Sequence, residues 1–405
     1  MAEPWRHAER QVVARRRSGW VVAAQWVALA AGTGLLAAAT ITGVIAREII
    51  VPPKKRKPDT RILDVDVERG LIELSRSGDA VTPGAYSLWF DNDRGLARVG
   101  GIVAETELSV TRELVTVEYG DIESATRARL AGWWWAHPSD VALPYDNVTI
   151  ETELGAAPAW VFPPERGNAA NDRCWVIQVH GRASRRQEAL RAVPVFRSAG
   201  WTSLLISYRN DGDAPYTVDG RYSLGDSEWA DVDAAMRFAI DHGAKHLVLM
   251  GWSMGGATVL QAATRSPLAR YIRGISLDSP VIDWVSTLDA IASEMGLPPV
   301  ARRLTLVAMS APWGRIITGK REPINLARLD FVTRAQELAV PILIQHSDDD
   351  GYVPVDGSRE LAKARPDIVT FVPWKVARHT KLWNLDRERW EGAISAWLRG
   401  LTLER

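Results

Sequence analysis

Short apolar runs alternate with amphipathic stretches from about Val148 to the end of this 405-residue chain. Apolar runs of about four to eight residues are typical of buried strands, and apolar residues at helical spacing are typical of helices. The predicted strands are Trp175–Val179, Trp201–Tyr208, His246–Met250, Val340–Gln345 and Val369–Trp374. The predicted helices are Glu188–Arg197, Ser227–Ile240, Gly256–Arg265, Ser358–Lys363 and Asp386–Leu398. This alternation predicts an α/β fold with a mostly parallel sheet and helices on both of its faces.

Residues 61–147 have a different pattern, in which short strand-like runs are separated by turns rich in glycine and aspartate. The predicted strands of this region are Leu71–Leu74, Tyr86–Phe90 and Leu114–Val117. We interpret 61–147 as a small β-rich accessory region. Its three consecutive tryptophans, Trp133–Trp135, are expected to pack in a core or between domains rather than to stack on a ligand. The part from 148 to 405 then opens with a predicted antiparallel hairpin, Val148–Thr152 and Ala159–Phe162.

The amino-terminal part contains a long run without charge. Ser18 to Ala46 carries no charged residue and is long enough to cross a bilayer as one helix. We therefore predict a single transmembrane helix at 18–46, preceded by a basic tail at 1–17. The alternative is a cleavable signal peptide that ends near Leu36–Ala39. Basic residues flank the run on both sides, and the Arg15–Arg17 cluster favours a cytoplasmic amino terminus, with the rest of the chain at the cell membrane outside the cytoplasm. A basic, proline-rich linker is predicted at 47–60.

A glycine-flanked serine lies between a predicted strand and a predicted helix. The segment Gly251-Trp252-Ser253-Met254-Gly255 has the pattern of a nucleophile elbow, a tight turn that presents a serine at the edge of a sheet. Only glycine at the flanking positions lets the strand and helix approach without a Cβ clash. A serine nucleophile needs a base that takes its proton and a carboxylate that orients the base.

Candidates for both partners follow Ser253 in the chain. The strand Val340–Gln345 leads into an acidic loop that contains Asp348, Asp349 and Asp350. His379 is the one histidine beyond this loop. The order serine, aspartate, histidine is therefore complete, with His379 as the candidate base.

Four motifs together resemble the α/β-hydrolase superfamily, and more narrowly its bacterial, membrane-anchored esterase-like and peptidase-like members. Besides the elbow, these motifs are His180-Gly181 after a strand, the D-x-x-V-P pattern at Asp350–Pro354, and the histidine-containing segment His379–Asn384. The resemblance covers the chain from about Val148 and implies the α/β-hydrolase fold. It implies Ser253 as nucleophile, His379 as general base and acid, Asp350 as orienting acid, and the backbone N–H groups of Met254 and Arg182 as oxyanion hole.

Other residues of these motifs have alternative or supporting roles. Asp278, at the end of the preceding strand, is an alternative acid, because some members of the superfamily carry the acid there. Asp348 and Asp349 are expected to be solvated or to cap the turn. His180 is expected to shape the oxyanion loop, and His346 to hold the acid loop. We expect Tyr208–Asp211 to support the active-site loops, because it resembles a motif of membrane-associated bacterial members.

An insertion at about 284–338 lies where this fold usually carries a lid. Its apolar residues, among them Leu288, Leu304 and Trp313, predict a cap over Ser253 and favour an uncharged, lipophilic acyl group. The alternative is that these residues only pack the insertion against the core.

Composition narrows the function further. Lys plus Arg and Asp plus Glu number 49 each, so no nucleic-acid partner is indicated. The lone Cys174 begins an apolar strand and is expected to be a buried thiol. The sequence predicts a serine hydrolase that cleaves a small-molecule carboxylic ester through an acyl-enzyme, without metal or cofactor. The alternatives are a peptidase, a thioesterase or a non-catalytic binding module with the same fold.

Overall fold

The computed structural model of the protein describes residues 43–53, 57–165 and 173–403. Most of the predicted transmembrane helix, 18–46, lies outside these residues, and its last residues belong to a helix at 43–50, α1. Residues 47–50 are therefore helical and not part of the predicted linker. Within the described residues, no helix combines the length and the apolar character that a membrane crossing requires. Two compact units are present: the described part of one is 43–49 with 296–323, and the other holds the described residues of 50–295 and 324–405.

A closed six-stranded barrel forms the first part of the larger unit. Its strands are Thr60–Asp66 (β1), Leu71–Ser75 (β2), Tyr86–Phe90 (β3), Gly95–Glu105 (β4), Ser109–Tyr119 (β5) and Arg127–Ala131 (β6). They pair antiparallel in the order β1-β2-β5-β4-β3-β6, and β6 closes the barrel by pairing with β1. The barrel confirms the β-rich interpretation, and its first strand begins one residue earlier than the predicted boundary at 61.

The barrel core is mainly apolar and also holds one buried arginine. Ile72, Leu74 and Tyr86 are among the fully buried side chains of its core. Arg112 on β5 is also buried and donates hydrogen bonds to the backbone carbonyls of Ala80, Thr82, Gly84 and Gly100. These bonds tie the long connection between β2 and β3 to the barrel wall.

An eight-stranded sheet forms the second part of the larger unit. Its strands are Asp146–Thr152 (β7), Gly155–Phe162 (β8), Cys174–Val179 (β9), Thr202–Ile206 (β10), His246–Trp252 (β11), Ile272–Asp278 (β12), Ile342–Ser347 (β13) and Val369–Trp374 (β14). The order is β14-β13-β12-β11-β9-β10-β8-β7. β7, β8 and β10 pair antiparallel, as the opening hairpin predicts, and the other neighbours pair parallel. The predicted α/β architecture is therefore confirmed.

After α1, the helices are Val193–Ser198 (α2), Trp229–Asp241 (α3), Met254–Arg265 (α4), Trp284–Glu294 (α5), Pro299–Ser310 (α6), Arg315–Thr318 (α7), Asp356–Ala364 (α8), Leu382–Leu385 (α9) and Arg387–Arg399 (α10). Four of the five predicted helices are present with small shifts of their ends, one is changed, and α5, α6, α7 and α9 were not predicted. The predicted helix Glu188–Arg197 is instead a 3₁₀ segment, Arg186–Ala192, followed by α2. Pro194 explains the break, because proline has no N–H to continue a helix and is favoured in a first turn.

The predicted insertion, 284–338, divides between the two units. Its first helix, α5, belongs to the larger unit, and α6 and α7 belong to the smaller one. The role of this insertion as a lid stays a prediction.

The tryptophan cluster, Trp133–Trp135, joins the barrel to the part of the larger unit that is built on the eight-stranded sheet. We call this part the large sheet's domain. Trp134 and Trp135 both pack on Trp383 of α9, with ring centroids 6.3 and 5.7 Å apart. The indole N–H of Trp133 donates to the hydroxyl of Ser184, at 3.0 Å. The expectation of packing between domains is confirmed for Trp134 and Trp135.

Candidate active site

Ser253 occupies the turn between β11 and α4. Its backbone angles, φ 52° and ψ −119°, fall in a region that residues with a side chain rarely adopt. A Cβ on Gly251 would lie 2.5 Å from the backbone of Gly255, and a Cβ on Gly255 would overlap the carbonyl of Val179. The turn is therefore as tight as the sequence predicts, and both glycines are required by close backbone approach.

The side chain of Ser253 faces His379. The Oγ atom of Ser253 lies 2.8 Å from Nε2 of His379, and Nδ1 of His379 lies 2.7 Å from Oδ2 of Asp350. The three residues come from the ends of β11, β13 and β14, which meet at one edge of the sheet because these strands are parallel. The structure thus brings together the three side chains that the sequence singles out.

His379 is influenced by opposing effects. Its burial lowers the pKa of the imidazole, but the charge and hydrogen bond of Asp350, with smaller contributions from Glu188 and Asp278, raise the pKa above its usual 6.5. The net direction is upward because the carboxylates stabilise the imidazolium. An imidazole in this setting can accept the proton of Ser253 and hold it.

Asp350 is fixed from several sides. Its Oδ1 accepts the backbone N–H groups of Tyr352 and Val353, both at 2.9 Å, and its Oδ2 also lies 3.2 Å from Nε2 of His346. Burial raises the pKa of this carboxyl, but His379 and His346 more than offset it and hold the pKa well below its usual range. His346, which also bonds to Ser358, holds the acid loop as expected.

The alternative acids are engaged elsewhere. The carboxylate of Asp278 accepts bonds from the indole of Trp390 at 2.8 Å and the hydroxyl of Ser279 at 3.0 Å, and burial raises its pKa. Asp348 and Asp349 are exposed and pair with arginine side chains. Of these four described carboxylates, the structure brings Asp350 to the Nδ1 atom of His379.

The proposed oxyanion donors belong to α4 and to the loop after β9, and Arg182 lines the same cavity as Ser253. Met254 is the first residue of α4, a position at which the backbone N–H has no acceptor within the helix. Arg182 lies in the oxyanion loop, residues 180–185, which follows β9. The hydroxyl of Tyr208 donates to the carbonyl of Gly181 at 2.9 Å, and the His180 ring stacks on Tyr208 with 4.2 Å between centroids. His180 and Tyr208 therefore shape this loop, as the sequence indicates.

Comparison with known proteins finds two matching family models and solved structures of similar fold. A family model described as the prolyl oligopeptidase family matches residues 191–365, and one described as a domain of unknown function (DUF8805) matches 61–131, which is the barrel. No curated protein matches the chain. Two crystal forms of an esterase of Pyrococcus furiosus are similar at 19% identity over 66% of this chain and 94% of that chain, with TM-scores of 0.51 and 0.50. An esterase domain from Rhodothermus marinus is 18% identical over 64% of this chain and 99% of that chain, with a TM-score of 0.44.

The likeness to the Pyrococcus esterase shows the fold, and the first family model spans the segment that carries Ser253 and Asp350. The protein is a serine hydrolase with the α/β-hydrolase fold. None of these matches assigns a role to the individual side chains of the hydrolase. The described residues hold no group of three histidine, cysteine or acidic side chains that could bind a metal ion.

A cavity of about 540 Å³ opens at Ser253 of the hydrolase. One side is formed by the oxyanion loop and the loops that carry Ser253 and His379. The other is formed by the barrel, through Gly78 and Asp79 and through Leu130–Trp133 at and just after the end of β6. Its lining includes charged side chains, namely Asp79, Arg182, Glu188, Arg378 and Lys381. These residues give the described cavity more charge than the apolar insertion led us to expect.

Sequence reasoning missed the barrel's share of the cavity and the role of Glu188. The Glu188 carboxylate is buried and accepts the backbone N–H of Gly181 at 2.7 Å, so it anchors the oxyanion loop. An acidic residue at the start of a predicted helix, seven positions after the His-Gly motif, was the available signal. Nothing in the pattern indicated that the barrel faces Ser253.

Proposed function

We propose that this hydrolase cleaves a carboxylic ester through an acyl-enzyme on Ser253. The observation that carries the proposal is the continuous line of short contacts from Ser253 Oγ to His379 and on to Asp350, at 2.8 and 2.7 Å. Such a line is the structural requirement for activating a serine hydroxyl at neutral pH.

The reaction follows from this geometry. Nε2 of His379 takes the hydroxyl proton as Oγ of Ser253 attacks the ester carbonyl, and the N–H groups of Met254 and Arg182 stabilise the tetrahedral oxyanion. Asp350 keeps the imidazole in the tautomer that presents Nε2 as acceptor and stabilises the imidazolium. The imidazolium then protonates the departing alkoxide, and a water activated by His379 hydrolyses the acyl-enzyme.

A peptide or aminoacyl amide is the second candidate substrate. The match of residues 191–365 to the prolyl oligopeptidase family model favours it, because the same side chains can protonate a departing amine. The charged cavity lining is compatible with a polar substrate of either kind.

The test combines one variant with two substrate series. Ser253→Ala is expected to lower kcat by about 10⁴ to 10⁶ without loss of folding, because the acyl-enzyme has no nucleophile. Ser124→Ala, which changes an exposed barrel serine, is the matched control and should retain full activity. Wild-type protein, but not Ser253→Ala, should react with a fluorophosphonate probe. Full activity in Ser253→Ala would contradict the mechanism, and an intact protein that never reacts with the probe would favour a non-catalytic binding module.

Substrate class is decided by comparing kcat/KM across p-nitrophenyl esters of increasing acyl length and across aminoacyl p-nitroanilides. We expect turnover of the esters to exceed that of the amides. The opposite ranking would make the hydrolase a peptidase.

We also propose that residues 18–46 anchor the hydrolase to the cell membrane, with its catalytic part outside the cytoplasm. Cys174 is buried, and burial raises the pKa of its thiol to about 11, so it should not react with a maleimide. A cysteine introduced by Pro58→Cys should therefore be labelled alone, by an impermeant maleimide on intact cells. Labelling only after lysis would place the catalytic part in the cytoplasm.

A further inference from the structure

The barrel contacts the two loops that carry the proposed chemistry. We propose that it is a working part of the active site, which positions the histidine loop, defined here as residues 375–385, and the oxyanion loop. This inference rests on the proposed roles of Ser253 and His379 and gives a function to the domain at 61–131. Asn384, Arg191 and Trp133 are the positioning residues.

Asn384 is the main point of contact with the barrel. Its backbone carbonyl accepts the N–H of Ala85 at 3.0 Å, and its side-chain amide donates to the carbonyl of Ala85 at 2.8 Å. Two bonds to one barrel residue fix both the position and the orientation of Asn384. It lies five residues after His379, so the same bonds fix the end of the histidine loop.

Glycines make this contact possible. A Cβ on Gly84, whose φ is +113°, would overlap the carbonyl of Asn384. A Cβ on Gly132 would lie 3.0 Å from Oδ1 of Asn384 and 3.3 Å from the carbonyl of Thr380. The barrel therefore approaches the histidine loop backbone to backbone, which leaves the loop little room to move.

Arg191 carries the contact from the histidine loop to the oxyanion loop. Its guanidinium is fully buried and donates to the carbonyl of Thr380 at 2.8 Å and to Oδ1 of Asn384 at 2.9 Å. It also donates to the backbone carbonyl of Glu188, whose carboxylate holds the N–H of Gly181. Barrel, histidine loop and oxyanion loop are thus joined by one chain of buried and partly buried hydrogen bonds.

Two further contacts come directly from the barrel. The carboxylate of Asp79 pairs with Lys381 at 2.5 Å, two residues from His379. The indole N–H of Trp133 donates to Ser184 in the oxyanion loop. Both Asp79 and Trp133 also line the cavity at Ser253, so the barrel contacts the loops and forms part of the cavity wall.

These contacts differ from simple packing between domains. Polar bonds that are buried are directional, and each costs about 1–3 kcal/mol when one partner is left unpaired. A displacement of about 1 Å between nucleophile and base costs roughly 10²-fold in rate. A domain that fixes both loops by such bonds controls the rate as well as the stability.

The experiment measures kcat per active site, titrated with the fluorophosphonate probe, so that unfolded protein does not count. Asn384→Ala should lower kcat about 10- to 100-fold with KM changed less than threefold. Because a looser contact with Asp350 raises the pKa of His379 less, the acid limb of kcat/KM should move to lower pH. Asn384→Asp keeps the acceptor for Arg191 but loses the donor to Ala85, and should have an intermediate effect.

Trp133→Phe tests the second loop with a matched control. It removes the N–H that reaches Ser184 and keeps an aromatic ring, and should lower kcat about three- to tenfold, the worth of one hydrogen bond. Trp89→Phe is the control, because the buried N–H of Trp89 has no hydrogen-bond partner among the described residues. Trp89→Phe should leave kcat unchanged.

The outcomes separate this inference from the proposed function. If wild-type protein fails to react with the probe, the proposed function is wrong. If wild-type protein reacts but Asn384→Ala and Trp133→Phe keep the wild-type kcat per titrated site and the same acid limb, the barrel is only a packed neighbour and the inference is wrong. Equal losses in Trp133→Phe and Trp89→Phe would also overturn it, because ring size and not the bond to Ser184 would then matter.

Discussion

The barrel and the large sheet's domain each bury a charged side chain, and they surround it differently. In the barrel, the buried Arg112 donates to backbone carbonyls of Ala80, Thr82, Gly84 and Gly100. In the large sheet's domain, the buried Asp350 contacts two imidazoles, those of His346 and His379. The hydrogen-bond partners of Arg112 are backbone carbonyls, whereas one partner of Asp350 is His379, the proposed base.

We infer from this difference that Arg112 holds the barrel's backbone in place, whereas Asp350 takes part in the proposed reaction. A guanidinium among carbonyls keeps its charge and its bonds at any pH at which the protein is folded. A carboxylate among imidazoles changes its interactions whenever a proton moves. Burial alone therefore does not identify a charge that takes part in the proposed proton transfer.

The largest expected effect is at Asp350. Asp350→Asn should lower kcat by about 10² to 10⁴, because the amide keeps the shape but favours the wrong tautomer of His379. Steady-state kinetics on a p-nitrophenyl ester measures the loss.

Three matched variants control for the loss of a carboxylate. Asp348→Asn and Asp349→Asn remove exposed charges and should each cost less than tenfold in kcat. Asp278→Asn, at the buried alternative acid bonded to Trp390, should also cost less than tenfold. A severe loss in Asp278→Asn with an active Asp350→Asn would exchange their assignments.

The next largest expected effect is that of removing the buried charge of the barrel, Arg112. Arg112→Met keeps the length of the side chain but leaves several buried carbonyls without donors, and should lower the free energy of unfolding by about 3–5 kcal/mol. The loss should be the same at pH 6 and pH 9, measured by urea denaturation. Arg127→Met, on the exposed face of β6, should change stability by less than about 0.5 kcal/mol. A loss that varies strongly with pH would contradict the contrast with Asp350.

The pH dependence of kcat/KM tests the effect of Asp350 on the pKa of His379. Protonated His379 cannot act as base, so the rate should fall about tenfold per pH unit below its pKa, and the raised pKa places this limb above pH 6.5. The contribution of His379 to the free energy of unfolding depends on pH in the opposite direction. Protonated His379 stabilises the fold fully below pH 6.5, and this stabilisation is lost as the pH rises through the pKa of His379 in the folded protein. An acid limb below pH 6, or none, would contradict the influence of Asp350 on His379.

The smallest expected effect is at Tyr352, an exposed residue beside His379. The Tyr352 ring lies 5.3 Å from the His379 ring, and its hydroxyl accepts a bond from Arg182 at 3.3 Å. Because solvent screens this contact, Tyr352→Phe should change kcat/KM less than about threefold. Tyr352→Ala, which enlarges the cavity, should alter the preferred acyl length. A large loss in Tyr352→Phe would show that the hydroxyl takes part in the reaction.

Much of the fold could be predicted because its signals are local. Strand β11, the Ser253 turn and α4 follow from periodicity and close glycine spacing, and β3 and β14 have the predicted bounds. Closure of the barrel could not be predicted, because β6 pairs with β1 across more than sixty residues. Glu188 and Asn384 were missed for the same reason: their partners, Gly181 and Ala85, are set by tertiary contact and leave no periodic signal.

The backbone of Ser253 has a consequence for the durability of the protein. A non-glycine residue held at a positive φ destabilises the fold by about 1–3 kcal/mol, against a total stability of about 5–15 kcal/mol for a typical domain. Glycine at position 253 would relieve that strain, but it would also remove the proposed nucleophile. Selection of heat-resistant variants without selection for turnover would therefore favour loss of this serine.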